Sequence, residues 1–298
     1  MTPDDGRTAR RLSAVLEPVI GQVYFAPECH ARYEALGFKG SPGDMNGVAR
    51  PDGVAYFTSR GSLLGQAPGV LVAAAFGVFR SDIVAAAVRR GWSLTDAPTI
   101  RTARDEGALE HLQRILGPSP AGLSTTSELL LRSSRAVRTE GRALTAGLTA
   151  LDAPDHPFGT VFRCGDILRE YRGDSHIIAW VNADLTAIEI GLLTELYWGL
   201  QLRTYSRTRG WSDDQYDAAE DRLRERGLID ADGHFTAMGG ALREQIEVDT
   251  DRQMAPVLAA LGDDVAALID VLSEWSQAIR AAHGYPARGP QDLAATTS

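Results

Sequence analysis

Apolar residues recur at three- and four-residue spacing along most of the chain, and the strict alternation of a half-buried strand is almost absent. That pattern predicts a mainly α protein. Pro27 suits a first helical turn and Gly37 follows Leu36 where a helix would stop, so residues 27–36 read as a short helix. Pro68 opens another toward Phe79. Between them, residues 40–53 are rich in glycine and carry Pro42 and Pro51, which predicts a mobile loop acting as a lid or a connector. Longer amphipathic helices are expected over 99–116 and 122–151, parted by Pro118 and Pro120. Three more should follow over 159–171, 175–181 and 185–200, the last ending in the aromatic pair Tyr197 and Trp198.

From Trp211 the pattern changes. Ser212 is a good N-cap for a helix through Arg226, Gly227 is a good stop, and Asp232-Gly233 supplies the turn chemistry of a two-stranded wing before a helix from Met238 through Glu247. Helix, short strand, tight turn, short strand, helix is the order of a winged helix. The residues Leu223-Arg224-Glu225-Arg226-Gly227-Leu228-Ile229, followed by Phe235-Thr236-Ala237-Met238-Gly239, resemble the recognition-helix end and wing of MarR-type regulators. A longer series resembles an actinobacterial family that joins a helical N-terminal region to such a unit. It comprises Tyr24-Phe25-Ala26-Pro27-Glu28, Tyr56-Phe57 with Arg60, and Leu168-Arg169-Glu170-Tyr171-Arg172-Gly173-Asp174-Ser175-His176. The resemblance carries no reaction with it, and the glycine-rich insert at 40–53 departs from the family pattern.

Together these readings divide the chain into a helical ligand-binding domain over 1–184, a winged-helix domain over 185–286 and a frayed tail over 287–298. Residues 56–61 and 170–175 each place an aromatic and an Arg-Gly step before an apolar helix, an echo that fits an internal duplication.

At 298 residues and 44% hydrophobic, the chain has material for two cores or one large helical body. Its net charge of −9 opposes a role in wrapping polyanions. The helix that would read DNA begins with Asp213, Asp214, Asp217, Glu220 and Asp221 before its first cation, Arg222, and only Arg203, Arg207 and Arg209 just upstream offset them. DNA is therefore a disfavoured partner, and a winged helix used for packing or in a homodimer is the preferred expectation. Two cysteines, Cys29 and Cys164, exclude a disulfide scaffold, and with no signal-like opening a cytoplasmic setting is expected. The most apolar run, Val70 to Val78, is far shorter than the roughly 20 residues of a bilayer span, so no membrane association is expected.

Polar chemistry is densest between Arg169 and His176, directly ahead of the apolar Ile177 to Val181. Glu170, Asp174 and His176 are candidate proton carriers, and Arg172 or Arg60 could hold an anionic group bidentately. Tyr24, Phe25 and Tyr56 could complete a pocket for a planar or acidic small molecule. The structural alternative makes Asp174 or Ser175 the N-cap of the next helix, pairs the remaining charges and puts the aromatics in a core. Neighbouring Glu28, Cys29 and His30 point about 100° apart on a helix and do not converge on one atom. No metal-ligand spacing, phosphate loop or nucleophile elbow is present, so neither metal nor cofactor is expected. The leading expectation is a small-molecule-binding protein, with acid–base catalysis (isomerisation, cyclisation or elimination) in specialised metabolism as its enzymatic form. The second expectation is a ligand-responsive MarR-like regulator.

Overall fold

The computed structural model describes residues 3–45 and 47–286, so the expected tail lies outside the described residues. Helices α1 (Pro3–Gly21), α2 (Pro27–Ala35), α3 (Gly53–Gly61), α4 (Gly69–Phe76) and α5 (Ser81–Trp92) form the first third. Then come α6 (Ala97–Leu116), α7 (Leu123–Ser134), α8 (Ala143–Thr149) and α9 (Gly159–Asn182). Helices α10 (Ala187–Tyr197), α11 (Asp213–Glu225), α12 (Ala237–Gln253), α13 (Ala255–Leu261) and α14 (Val265–Ala281) complete the chain. The fold is mainly α, as the spacing of apolar residues requires. Strand structure among the described residues is confined to β1 (Asp44–Met45) paired with β2 (Val48–Ala49) and one antiparallel bridge between Ile229 and Phe235.

Local chemistry sets many of the boundaries. Asp96 accepts from the Thr99 N–H, Thr186 and Glu189 form a capping box, as do Ser212 and Gln215, and Thr236 accepts from the Gly239 N–H. Where a two-stranded wing is expected, the described residues make only that single bridge, with Gly233 at φ +81° in the turn. Ser41 hydroxyl contacts to the Gly43 and Arg50 carbonyls brace the β1–β2 hairpin.

Three expected helices are redrawn. The span 122–151 breaks after Ser134, where the hydroxyls of Ser133 and Ser134 bond back to carbonyls of their own helix, and Gly141 adopts φ +69° before α8. Conversely, 159–171 and 175–181 are one 24-residue helix, α9, with Gly173 inside it. Asp174 and Ser175 therefore cap no helix of their own.

Helix α9 is the axis of the fold, packed by α1, α7, α8 and α12. One apolar cluster joins Leu12, Leu16 and Ile20 of α1 to Phe162 and Leu168 of α9 and to Leu268, Leu272 and Trp275 of α14. A second holds Trp180, Leu192, Leu193, Tyr216, Leu223 and Ile246. Packing runs across residue 184: α13 and α14 return to the first core, and α9 contributes to both. The echoed segments meet where Arg60 of α3 pairs with Glu170 of α9.

No single helix is long and apolar enough to cross a membrane; α9 and α10 pass on length and composition only as a pair bent by 108°.

Close helix crossings depend on small residues. A Cβ on Gly107 of α6 would lie 2.7 Å from the Cys29 backbone of α2. Gly107→Ala is expected to force these helices apart and cost about 1–3 kcal/mol, measurable as a lower urea midpoint. An unchanged midpoint would show that the crossing yields freely.

Candidate ligand cavity

A cavity of about 610 Å³ opens between the main helical body and the α10–α12 unit. Its walls come from α1, α9, α10 and α12, with Arg60 of α3 and the short turn around Ser206 and Arg209 closing one side. Eight arginines and three glutamates line it, together with Tyr197, Trp198 and Tyr205. Exposed Arg7 and Arg11 lie on its α1 side.

Helix periodicity explains the wall. Arg7, Arg10, Ala14 and Glu17 follow one another at three- and four-residue steps and share a face of α1. Arg169, Arg172, Gly173 and His176 do the same on α9, and Arg243, Glu247 and Thr250 on α12. Ion pairs join the three faces. Asp251, 1% exposed, accepts from Arg10 at 2.6 Å and from Arg172 at 2.8 Å. Arg172 also reaches Glu247 at 3.1 Å, and Arg243 reaches the same carboxylate at 2.8 Å. Arg10 continues to Glu244 at 2.7 Å.

Of the residues singled out from sequence, Arg60, Glu170, Arg172 and His176 line the cavity. Glu170 is 1% exposed and accepts both arms of Arg60, at 2.9 and 2.7 Å, and Arg169 at 2.9 Å. Burial pushes its pKa up, but the two guanidinium groups outweigh that and hold it at about 2. A carboxylate so fixed is a poor proton carrier near neutrality. His176 contacts the Thr250 hydroxyl through Nδ1 at 3.2 Å and lies 3.9 Å from Glu247. Burial pushes its pKa down to about 4 against the pull of Glu247, so the imidazole is neutral at pH 7.

Asp174 lies elsewhere. Its carboxylate accepts from the backbone N–H and hydroxyl of Thr145, at 2.9 and 2.8 Å, so it caps α8 from the flank of α9. Burial raises its pKa to about 6 in spite of those bonds. Tyr24, Phe25 and Tyr56 do not line the cavity; they pack behind it. Tyr24 and Tyr56 meet edge to face at 5.0 Å, and Phe25 meets Tyr285 at 5.3 Å. Tyr24 also lies under the Arg169 guanidinium at 5.1 Å, and the Tyr56 hydroxyl accepts from Arg60 at 3.5 Å. Tyr24 and Tyr56 thus sit against arginines of the wall, and Phe25 packs on Tyr285. No described residue of the 40–53 loop is in the wall. Cys29 and Cys164 are both buried and free; burial pushes both thiols up, away from nucleophile or ligand chemistry.

Sequence reasoning missed the α1 face, the Tyr205–Arg209 turn and Arg243. The three-and-four spacing of Arg7, Arg10, Ala14 and Glu17 was a usable signal for the first. Nothing local marks the other two, because each is brought to the wall by long-range packing.

The exposed face of α11 carries Asp213, Asp214, Asp217 and Asp221. The cations nearby are engaged at home: Arg203 with Asp217 and Glu220, Arg207 with Asp213, Arg222 with Glu189, and Arg224 with Glu220 and Asp221.

With this architecture in view, the comparison with known families is direct: a family described as a helix-turn-helix family matches residues 9–286. The chain belongs to that family. No curated protein and no solved structure matches the chain.

Two outcomes follow from the geometry. Asp174→Ala leaves two buried Thr145 donors unpaired and should cost about 1–3 kcal/mol in chemical denaturation while leaving the cavity unchanged. A loss of ligand binding with full stability would reverse that assignment. For His176, the folded pKa lies below the ordinary value of 6.5, so the unfolded chain takes up a proton first as pH falls. The resulting stability penalty is absent above about pH 6.5 and grows as pH falls toward 4, and His176→Gln should remove it. An imidazole NMR titration midpoint near 6.5 would contradict the burial.

Proposed function

We propose that the protein binds a small organic molecule in the cavity between its helical body and its helix-turn-helix unit. The observation that carries this reading is the cavity itself: about 610 Å³, arginine-rich and aromatic, within the size range of ligand sites. Its polar groups are held by ion pairs across three helices, which is preorganisation for recognition.

Binding is favoured over acid–base catalysis. Glu170 is locked ionised, Asp174 caps a helix away from the cavity, and His176 is a weak base. The regulator reading draws support from family membership and from the hairpin between α11 and α12, which follows the winged-helix order of MarR-type proteins. It is opposed by the carboxylates that α11 offers to phosphate. On this reading the unit serves as one wall of a ligand site.

Thr194 lies in the α10 wall, so Thr194→Trp should fill the space. Thermal-shift screening of a metabolite set should find compounds that raise the melting temperature of the natural protein and leave Thr194→Trp unmoved. Equal shifts in both proteins, or none in either, would defeat the proposal. Specific retardation of duplex DNA that responds to the same compounds would move the assignment to the regulator.

A further inference from the structure

Leaving aside Arg7 and Arg11 at its exposed α1 side, the arginines of the cavity are matched by carboxylates with one exception. Arg60 and Arg169 are matched by Glu170 and Glu17, and Arg10, Arg172 and Arg243 by Glu244, Asp251 and Glu247. Arg209 is different. Among the described residues it has no carboxylate partner, and its only side-chain hydrogen bond goes to the Tyr205 hydroxyl.

Arg209 is nevertheless held in position. Its guanidinium lies over the Phe79 ring at 4.5 Å and the Tyr205 ring at 4.7 Å, and its carbonyl accepts from the Arg80 N–H at 3.1 Å. Trp211 Nε1 donates to the Val78 carbonyl at 3.3 Å and anchors the same segment. A half-buried guanidinium fixed between two rings, unneutralised and on a cavity wall, presents N–H donors to an anion.

A second feature lies on the α9 and α12 side. The Thr250 hydroxyl donates its one hydrogen to the Ile246 carbonyl at 2.7 Å, so toward His176 it can only accept. His176 Nδ1 therefore carries the imidazole proton, and Nε2 is a lone-pair acceptor with no partner among the described residues. Arg243 stands beside His176 on the same wall; it pairs with Glu247 at 2.8 Å and lies over the Tyr197 ring at 4.4 Å, so it is held in place.

We infer that the ligand is a flat organic anion with a separate hydrogen-bond donor: its acid group sits on Arg209, its body lies against Tyr205 and Trp198, and its donor meets His176 Nε2. Trp198 and Tyr205 meet edge to face at 5.4 Å and form the aromatic part of the wall. The volume admits a body of several fused rings. This inference rests on the cavity being a ligand site, and its test separates the two claims.

The probes are 6-hydroxy-2-naphthoate, its uncharged carboxamide and 2-naphthoate, titrated by calorimetry up to 1 mM. The natural protein should bind the hydroxy acid at least tenfold more tightly than the amide. Arg209→Gln should erase that preference by weakening the acid alone, and His176→Phe should erase the advantage of the hydroxy acid over 2-naphthoate. Circular dichroism checks that the variants fold; should Arg209→Gln fail to fold, the acid-over-amide ratio of the natural protein, and its decline with added salt, decide the matter. Amide and acid binding equally would overturn the anion assignment while leaving the cavity a binding site. No binding by any probe would overturn this inference and remove support from the binding reading as well.

Discussion

The structure depends on a single buried carboxylate held by two arginines. Asp251 of α12 takes Arg10 from α1 on one oxygen and Arg172 from α9 on the other. Among the described residues it is the one group that touches all three charged stripes, which Arg169–Glu17, Arg172–Glu247 and Arg10–Glu244 then join in pairs. A desolvated carboxylate is costly alone, and so are the guanidiniums beside it; each is tolerable because the others are there. Helices α1, α9 and α12 also pack on one another, α1 and α9 through Leu12, Leu16 and Leu168, and the cavity opens beside the ion pairs.

The same constraint decides what the cavity can do. Charges committed to holding helices are not free for proton transfer, which is why Glu170, legible as an acid–base candidate, is instead pinned between Arg60 and Arg169. The groups left uncommitted are the ones that packing, not pairing, holds in place: Arg209 between rings, and His176 against a threonine whose hydrogen is already used. Wall and recognition groups are thus distinguished by whether their charge is satisfied within the chain.

Much of the architecture was legible because it is local. The Ser212 cap, the Gly227 stop and the Pro27 start each express the conformational preference of one residue, and the helices begin or end there. What was not legible is non-local. Gly173 and Asp174 read as a break and a cap, yet α9 is buried against so many neighbours that tertiary packing carries it through the glycine, and Asp174 caps α8 instead. His176 and Arg172 were found because polar density beside an apolar run marks a boundary. Arg209 was not, since its meaning lies in the carboxylate it lacks.

The acidity of α11 and the arginines of the cavity are two sides of one charge distribution. In a chain of net charge −9, Arg203, Arg207, Arg222 and Arg224 around α11 are spent on nearby carboxylates, and Arg226 on the Asp184 and Ala183 carbonyls. A DNA-reading surface needs the reverse, cations facing out and unpaired. Here Arg209, held without a carboxylate, faces the cavity, while α11 turns Asp213, Asp214, Asp217 and Asp221 to solvent. Positive charge thus gathers on the cavity wall and negative charge on the outer face of α11, a distribution opposite to the one that contact with phosphate requires.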